Sequence, residues 1–199
     1  MQRDLELLED NLTPEELQDL RNKRTGMFIF QVSWIMAFFC LIVVNWQLSF
    51  SREWLPEGAE RMSILPATFA TAALLLSAFL ARRGLQAIRA DDRNGFLREW
   101  AATLVLGVLF ILVMLYEWVV IGNTSAAGTQ YAQVFRLMTG FHMVHAFVIG
   151  AYMLGVWHSA RAGSYGPLDF WSVEAGLKLW YFVFIAWILF YVVIYFVAW

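Results

Sequence analysis

The chain has 199 residues, of which 60% are apolar and only 15% charged, with a net charge of −2 and a mean hydropathy of +0.59. A soluble domain runs nearer half apolar and a quarter charged, so the excess apolar surface calls for a bilayer rather than water. So small a net charge gives no sign of nucleic acid or of a strongly charged partner, and none is expected.

The first 25 residues are polar and acidic and do not read as a secretory signal peptide, so the first apolar run is expected to act as its own uncleaved signal. Within residues 1–24, Thr13-Pro14-Glu15-Glu16 reads as a helix start, with Thr13 as N-cap, Pro14 in the first turn and Glu16 reaching back. That amphipathic helix is expected to lie along the inner surface and lead into a single membrane domain, 25–199. Five apolar runs follow, at about 26–50, 64–81, 100–121, 131–157 and 172–199. Each is long enough to cross roughly 30 Å of hydrocarbon as a helix, where the backbone must satisfy its own hydrogen bonds. The fold class is therefore an all-α five-helix membrane bundle. Cys40, the single cysteine, lies in the first run and excludes an intrachain disulfide framework or a cysteine zinc site.

The second run is rich in small residues, Pro66, Thr68, Ala70, Thr71, Ala72, Ala73, Ser77 and Ala78, which let helices approach closely in lipid. It is expected to sit between other helices. Orientation follows from the basic residues: Arg3, Arg21, Lys23, Arg24, Arg82, Arg83, Arg89, Arg93, Arg98 and Arg161 fall on one side, against Arg52 and Arg61 on the other. The positive-inside rule then gives N-in, C-out. Trp46, Trp54, Trp118 and Trp199 near the outer face, and Trp100, Trp157 and Trp171 near the inner one, are expected as an aromatic belt.

Ionisable groups at membrane depth are costly and each needs a reason. In the third and fourth runs, Glu117 and Arg136 should lie at similar depth on an antiparallel pair, and are expected to pair directly or through water. His142 and His145 share one face of the fourth run at i and i+3. A metal, a haem or a proton relay would use them, but no further ligand stands at that depth on the other runs apart from Cys40. The third histidine, His158, lies about 24 Å further along the same helix. Histidines that lock helix contacts by hydrogen bonding are the expected reading. In the fifth run Glu174 and Lys178 are spaced i, i+4, so Lys178 either makes a local salt bridge or reaches a lipid phosphate near the inner headgroups. No catalytic constellation can be assembled.

Thr139-Gly140-Phe141-His142-Met143-Val144-His145 resembles the Thr-Gly-Phe-His-x-x-His signature of subunit III of haem–copper oxidases. Leu106-Gly107, Phe110 and Leu115-Tyr116-Glu117-Trp118 are similar to the segment ahead of it. Thr25 to Phe30, Trp54-Leu55-Pro56, Leu65-Pro66, Leu74 to Ser77, Val173-Glu174-Ala175, Trp180, Trp187 and Tyr195 fit the same pattern in order. The chain also departs from it. Ser33-Trp34 stands where many members have Ser-Glu, Met114 where Gln is frequent, and Trp180 to Phe184 lacks the His and Asp of the closing motif. The resemblance is to a divergent five-helix form with a two-helix plus three-helix arrangement, without the two extra N-terminal helices of the longer form. It implies an accessory, cofactor-free subunit packed on the catalytic subunit I, binding phospholipid, with haem and copper in its partners. The motif residues Glu117, His142 and His145 are expected to be structural, as is Arg136 from its depth, and Lys178 and Arg161 at the inner helix ends are expected to face lipid headgroups. It also implies the bacterial inner membrane, with the N-terminus cytoplasmic. Two other readings are a subunit III-like component of a nitric oxide reductase and a free-standing transporter. The second lacks the line of polar groups and the broken helix pair that transport sites use.

Overall fold

In the computed structural model, residues 12–51, 53–59 and 61–196 are described. Arg3, Arg52 and Trp199, used above for orientation and the belt, lie outside the described residues, as does the rest of 1–11. Among the described residues, five helices are long and apolar enough to cross a membrane: α1 Pro14–Ser49, α2 Ile64–Arg89, α3 Arg93–Gly122, α4 Gln130–Arg161 and α5 Trp171–Tyr191. A π-helical turn, Val192–Phe196, continues α5.

Each start has a local cause. Thr13 and Glu16 form the expected capping box: the Thr13 N–H donates to Glu16 at 2.8 Å and the Glu16 N–H to the Thr13 hydroxyl at 3.3 Å. The helix so started shows no break between the expected surface segment and the first apolar run. It runs unbroken for 36 residues, about 54 Å, well beyond the thickness of the hydrocarbon. Ser63 and Thr129 cap α2 and α4. Between α2 and α3, Asp91 takes a left-handed backbone (φ +60) and Asp92 accepts the Gly95 N–H at 2.8 Å, which closes a tight hairpin.

The division is four helices plus one, where two plus three was expected. α2, α3, α4 and α5 close a ring, each packed on the next and α5 back on α2, while α1 lies outside against α5 and α4. The reason lies in side-chain size. The inward stripe of α2 is Ala67, Ala70, Ala73, Ser77, Ala78, Ala81 and Gly84, and it admits close neighbours as its composition suggested. By contrast, α1 buries only Phe38, Asn45 and Ser49.

Tryptophans fill the ring. Trp180 on α5 donates to the Ser77 hydroxyl at 2.9 Å, Trp187 to Thr71 at 2.8 Å, Trp100 to the Met153 carbonyl at 3.0 Å and Trp118 to Thr139 at 2.8 Å. Every one of these bonds joins two helices and satisfies an indole N–H that hydrocarbon would leave bare. Two indoles lie directly over glycines: a Cβ at Gly107 would stand 2.7 Å from Trp180, and one at Gly140 would stand 2.8 Å from Trp118. This corrects the belt for Trp100 and Trp54. Trp100 is fully buried and Trp54 is 6% exposed, because helix contacts compete for the ring more strongly than the interface does. Trp46, half exposed, remains placed as a belt residue would be. The outward surface carries Phe28, Ile35, Phe39, Val105, Val119, Phe147 and Leu154, all exposed and apolar.

Candidate functional site

Three polar clusters lie inside this apolar frame. In the first, His142 on α4 is wholly buried, and its Nε2–H donates to the Val183 carbonyl of α5 at 2.8 Å. A carbonyl only accepts, so Nε2 carries the hydrogen. Phe110, Trp187, Phe38 and Phe190 surround the ring at centroid distances of 5.4, 5.5, 6.1 and 6.3 Å. His145 bonds the Phe141 carbonyl of its own helix through Nδ1 at 2.7 Å. It meets α1 through Trp34, edge-on at 4.5 Å, and Phe38 at 5.1 Å. Each imidazole therefore spends one nitrogen on a backbone carbonyl, and one histidine face serves α5 while the other serves α1. Among the described residues no three His, Cys, Asp or Glu side chains come together.

The second cluster fastens α1 at the other end of the same seam. Arg24 donates to both oxygens of Glu174, at 3.1 and 2.7 Å. Lys178 pairs with the same carboxylate at 2.8 Å and lies 5.5 Å from the Trp171 ring centre. Gln31 donates to the Lys178 carbonyl at 2.8 Å. A planar guanidinium gripping a carboxylate with two bonds fixes direction as well as distance. The i, i+4 salt bridge expected of Lys178 is present, but the stronger partner of Glu174 is Arg24, 150 residues away in the chain. Glu99 is held in a similar way by Arg83 at 3.0 Å and Arg98 at 3.8 Å. Arg161, exposed at the end of α4, lays its guanidinium 4.9 Å from the Trp157 ring centre. Its carbonyl and that of Ala160 accept hydrogen bonds from Arg93, which caps the helix end.

In the third cluster Glu117 and Arg136 make no direct ion pair, where a pair made directly or through water was expected. Glu117 is fully buried and accepts the Tyr195 hydroxyl at 2.7 Å, because the π turn carries Tyr195 inward over α3. Arg136 occupies instead the room beside Gly122, where a Cβ would stand 3.0 Å from a guanidinium nitrogen. Equal depth on a hairpin does not ensure that two side chains share an interface. Nothing in the spacing marked Tyr195 as the partner; only an extra residue in the last helical turn brings it there.

The family model described as "Cytochrome c oxidase subunit III" matches residues 15–199. The chain belongs to the cytochrome c oxidase subunit III family. It is 31% identical over 172 residues to cytochrome c oxidase subunit 3 of Thermostichus vulcanus, covering 85% of each chain. To the protein of the same name in Synechocystis sp. it is 29% identical over 145 residues, 71% of this chain and 61% of the relative. To the probable cytochrome c oxidase subunit 3 of Nocardia farcinica it is 32% identical over 149 residues, 73% of this chain and 72% of the relative. As a member of the subunit III family, the chain has its signature histidines on α4 in the seam between α1 and α5. At the position where the resemblance expects a glutamate, the Trp34 indole lies against His145.

Proposed function

We propose that this subunit III is the accessory, cofactor-free subunit of a respiratory haem–copper oxidase and that it stabilises catalytic subunit I. The haem and copper lie in the partners, and the chain sits in the bacterial inner membrane with its N-terminus cytoplasmic. The observation that carries the reading is the family match along nearly the whole chain. The interior supports it, since both signature histidines bond backbone carbonyls and act on helix packing.

Phospholipid belongs to the same reading. An apolar groove between α1 and α5, lined by Phe28, Ile35, Phe39, Phe182 and Ile185, ends at Lys178. Two cations, Arg24 and Lys178, share one carboxylate there, and the surplus positive charge suits a lipid phosphate. Arg161 is the second headgroup contact. In this account Glu117, Arg136, His142 and His145 are structural. Trp34 gives one specific reason to keep the nitric oxide reductase alternative. With an indole where a carboxylate is expected, α1 supplies no acid beside His145.

Affinity purification from the native membrane tests the proposal. A haem-absorbing complex that retains this chain and consumes oxygen is expected. A complex that turns over nitric oxide alone would replace the oxidase by the alternative, and a colourless, stable monomer would overturn both.

A further inference from the structure

Among the buried carboxylates, Glu174 and Glu99 each hold two cations, but Glu117 holds none. It is fully buried; one oxygen, Oε2, accepts the Tyr195 hydroxyl at 2.7 Å, and the other, Oε1, has no partner. The titratable and charged groups around it can be taken element by element. From α4 come Tyr131, whose hydroxyl already accepts the Met62 N–H at 3.3 Å, and Arg136 beside Gly122. From α5 and the π turn come Tyr191 and Tyr195, and the loop before α2 brings Arg61 near Tyr131. The apolar stretch of α2, from Ile64 to Ala81, carries no ionisable side chain. His142 contacts Phe110, which is two helical turns deeper, about 10 Å along α3 from Glu117. Among the described residues no cation makes an ion pair with the carboxyl.

An ionised carboxylate here would keep one fully buried oxygen without a protein donor or a counter-charge, an arrangement that proteins avoid by neutralising the group. We propose that Glu117 is a proton-holding site: a neutral carboxylic acid with its hydrogen on Oε1, whose carbonyl Oε2 takes the Tyr195 hydrogen bond. The ligand is a single proton, and the π turn at Val192–Phe196 is the device that supplies the carbonyl's donor. A π turn inserts one extra residue into the helical register, and such turns recur where a side chain must be re-aimed.

Infrared difference spectroscopy on the purified membrane complex tests this. Wild type minus Glu117→Gln at neutral pH is expected to show a carboxylic C=O stretch, shifted in heavy water. Tyr195→Phe should move that band to higher frequency, since the carbonyl loses its donor. Glu117→Gln, a neutral-for-neutral exchange, should leave the thermal midpoint of the complex unchanged. A carboxylate band in place of the C=O band would overturn the proposal. Should Glu117→Gln fail to accumulate, wild type minus Tyr195→Phe decides alone: a displaced carboxylic band supports the site, and no carboxylic feature overturns it.

Discussion

At the scale of single residues, the polar groups act as inter-helix fasteners. Arg24 and Glu174 hold α1 to α5 through two charge-assisted bonds in a half-buried place. Arg24→Ala is expected to lower stability by about 1.5–3 kcal/mol, read from thermal unfolding in detergent, because it also strips Glu174 of its better partner. Lys178→Ala should cost less, since its ammonium is more exposed and its bond comes from the same helix. Ser77→Ala leaves the Trp180 N–H buried without an acceptor and is expected to cost about 1–3 kcal/mol in the same assay. Much of this was legible residue by residue: the Thr13 cap, the Lys178–Glu174 bridge and a packing role for the histidines. The partners across the bundle were not. Helical spacing fixes neighbours three and four residues apart, whereas Arg24 to Glu174 and Glu117 to Tyr195 depend on how the helices are arranged and on one π turn.

Among elements, the tight joints are glycine facing tryptophan. Trp180 of α5 lies over Gly107 of α3 so closely that Gly107→Ala must displace either the ring or the helix. Overpacking of this kind is expected to cost about 1–3 kcal/mol and to redden tryptophan emission as the indole loosens. Gly155→Ala, where a Cβ meets nothing within 4 Å, should leave both readouts unchanged. The small-residue stripe of α2 announced that this helix would sit between others, as it does between α3 and α5. The Trp-for-Gly complementarity on α3 and α4 could not be read in the same way, because it needs two helices in register. The belt expectation for Trp100 failed for a related reason: an indole near a helix end satisfies its N–H equally well with a neighbouring carbonyl as with an interfacial water.

For the whole molecule, the five spans were legible from hydropathy, while their grouping into four plus one was not. Apolar runs report membrane depth but not which face meets protein and which meets lipid. Orientation is directly testable. In a Cys40→Ser background, Ala127→Cys in the α3–α4 loop is expected to react with a membrane-impermeant maleimide in intact cells. Ala162→Cys, after α4, should react only after the membrane is opened. The reverse pattern would turn the topology over.

The clamp on α1 also sets a timetable. Arg24 and Gln31 tie α1 to α5, with the Arg24 partner 150 residues further along the chain. At roughly 5–20 residues per second, α1 waits about 8–30 s before that partner is synthesised. During that interval α2 to α4 can assemble around the Asp91 hairpin, and the polar bonds of α1 to α5 form only once α5 is made. Of the five described helices, the earliest to be made thus completes its polar contacts with the latest.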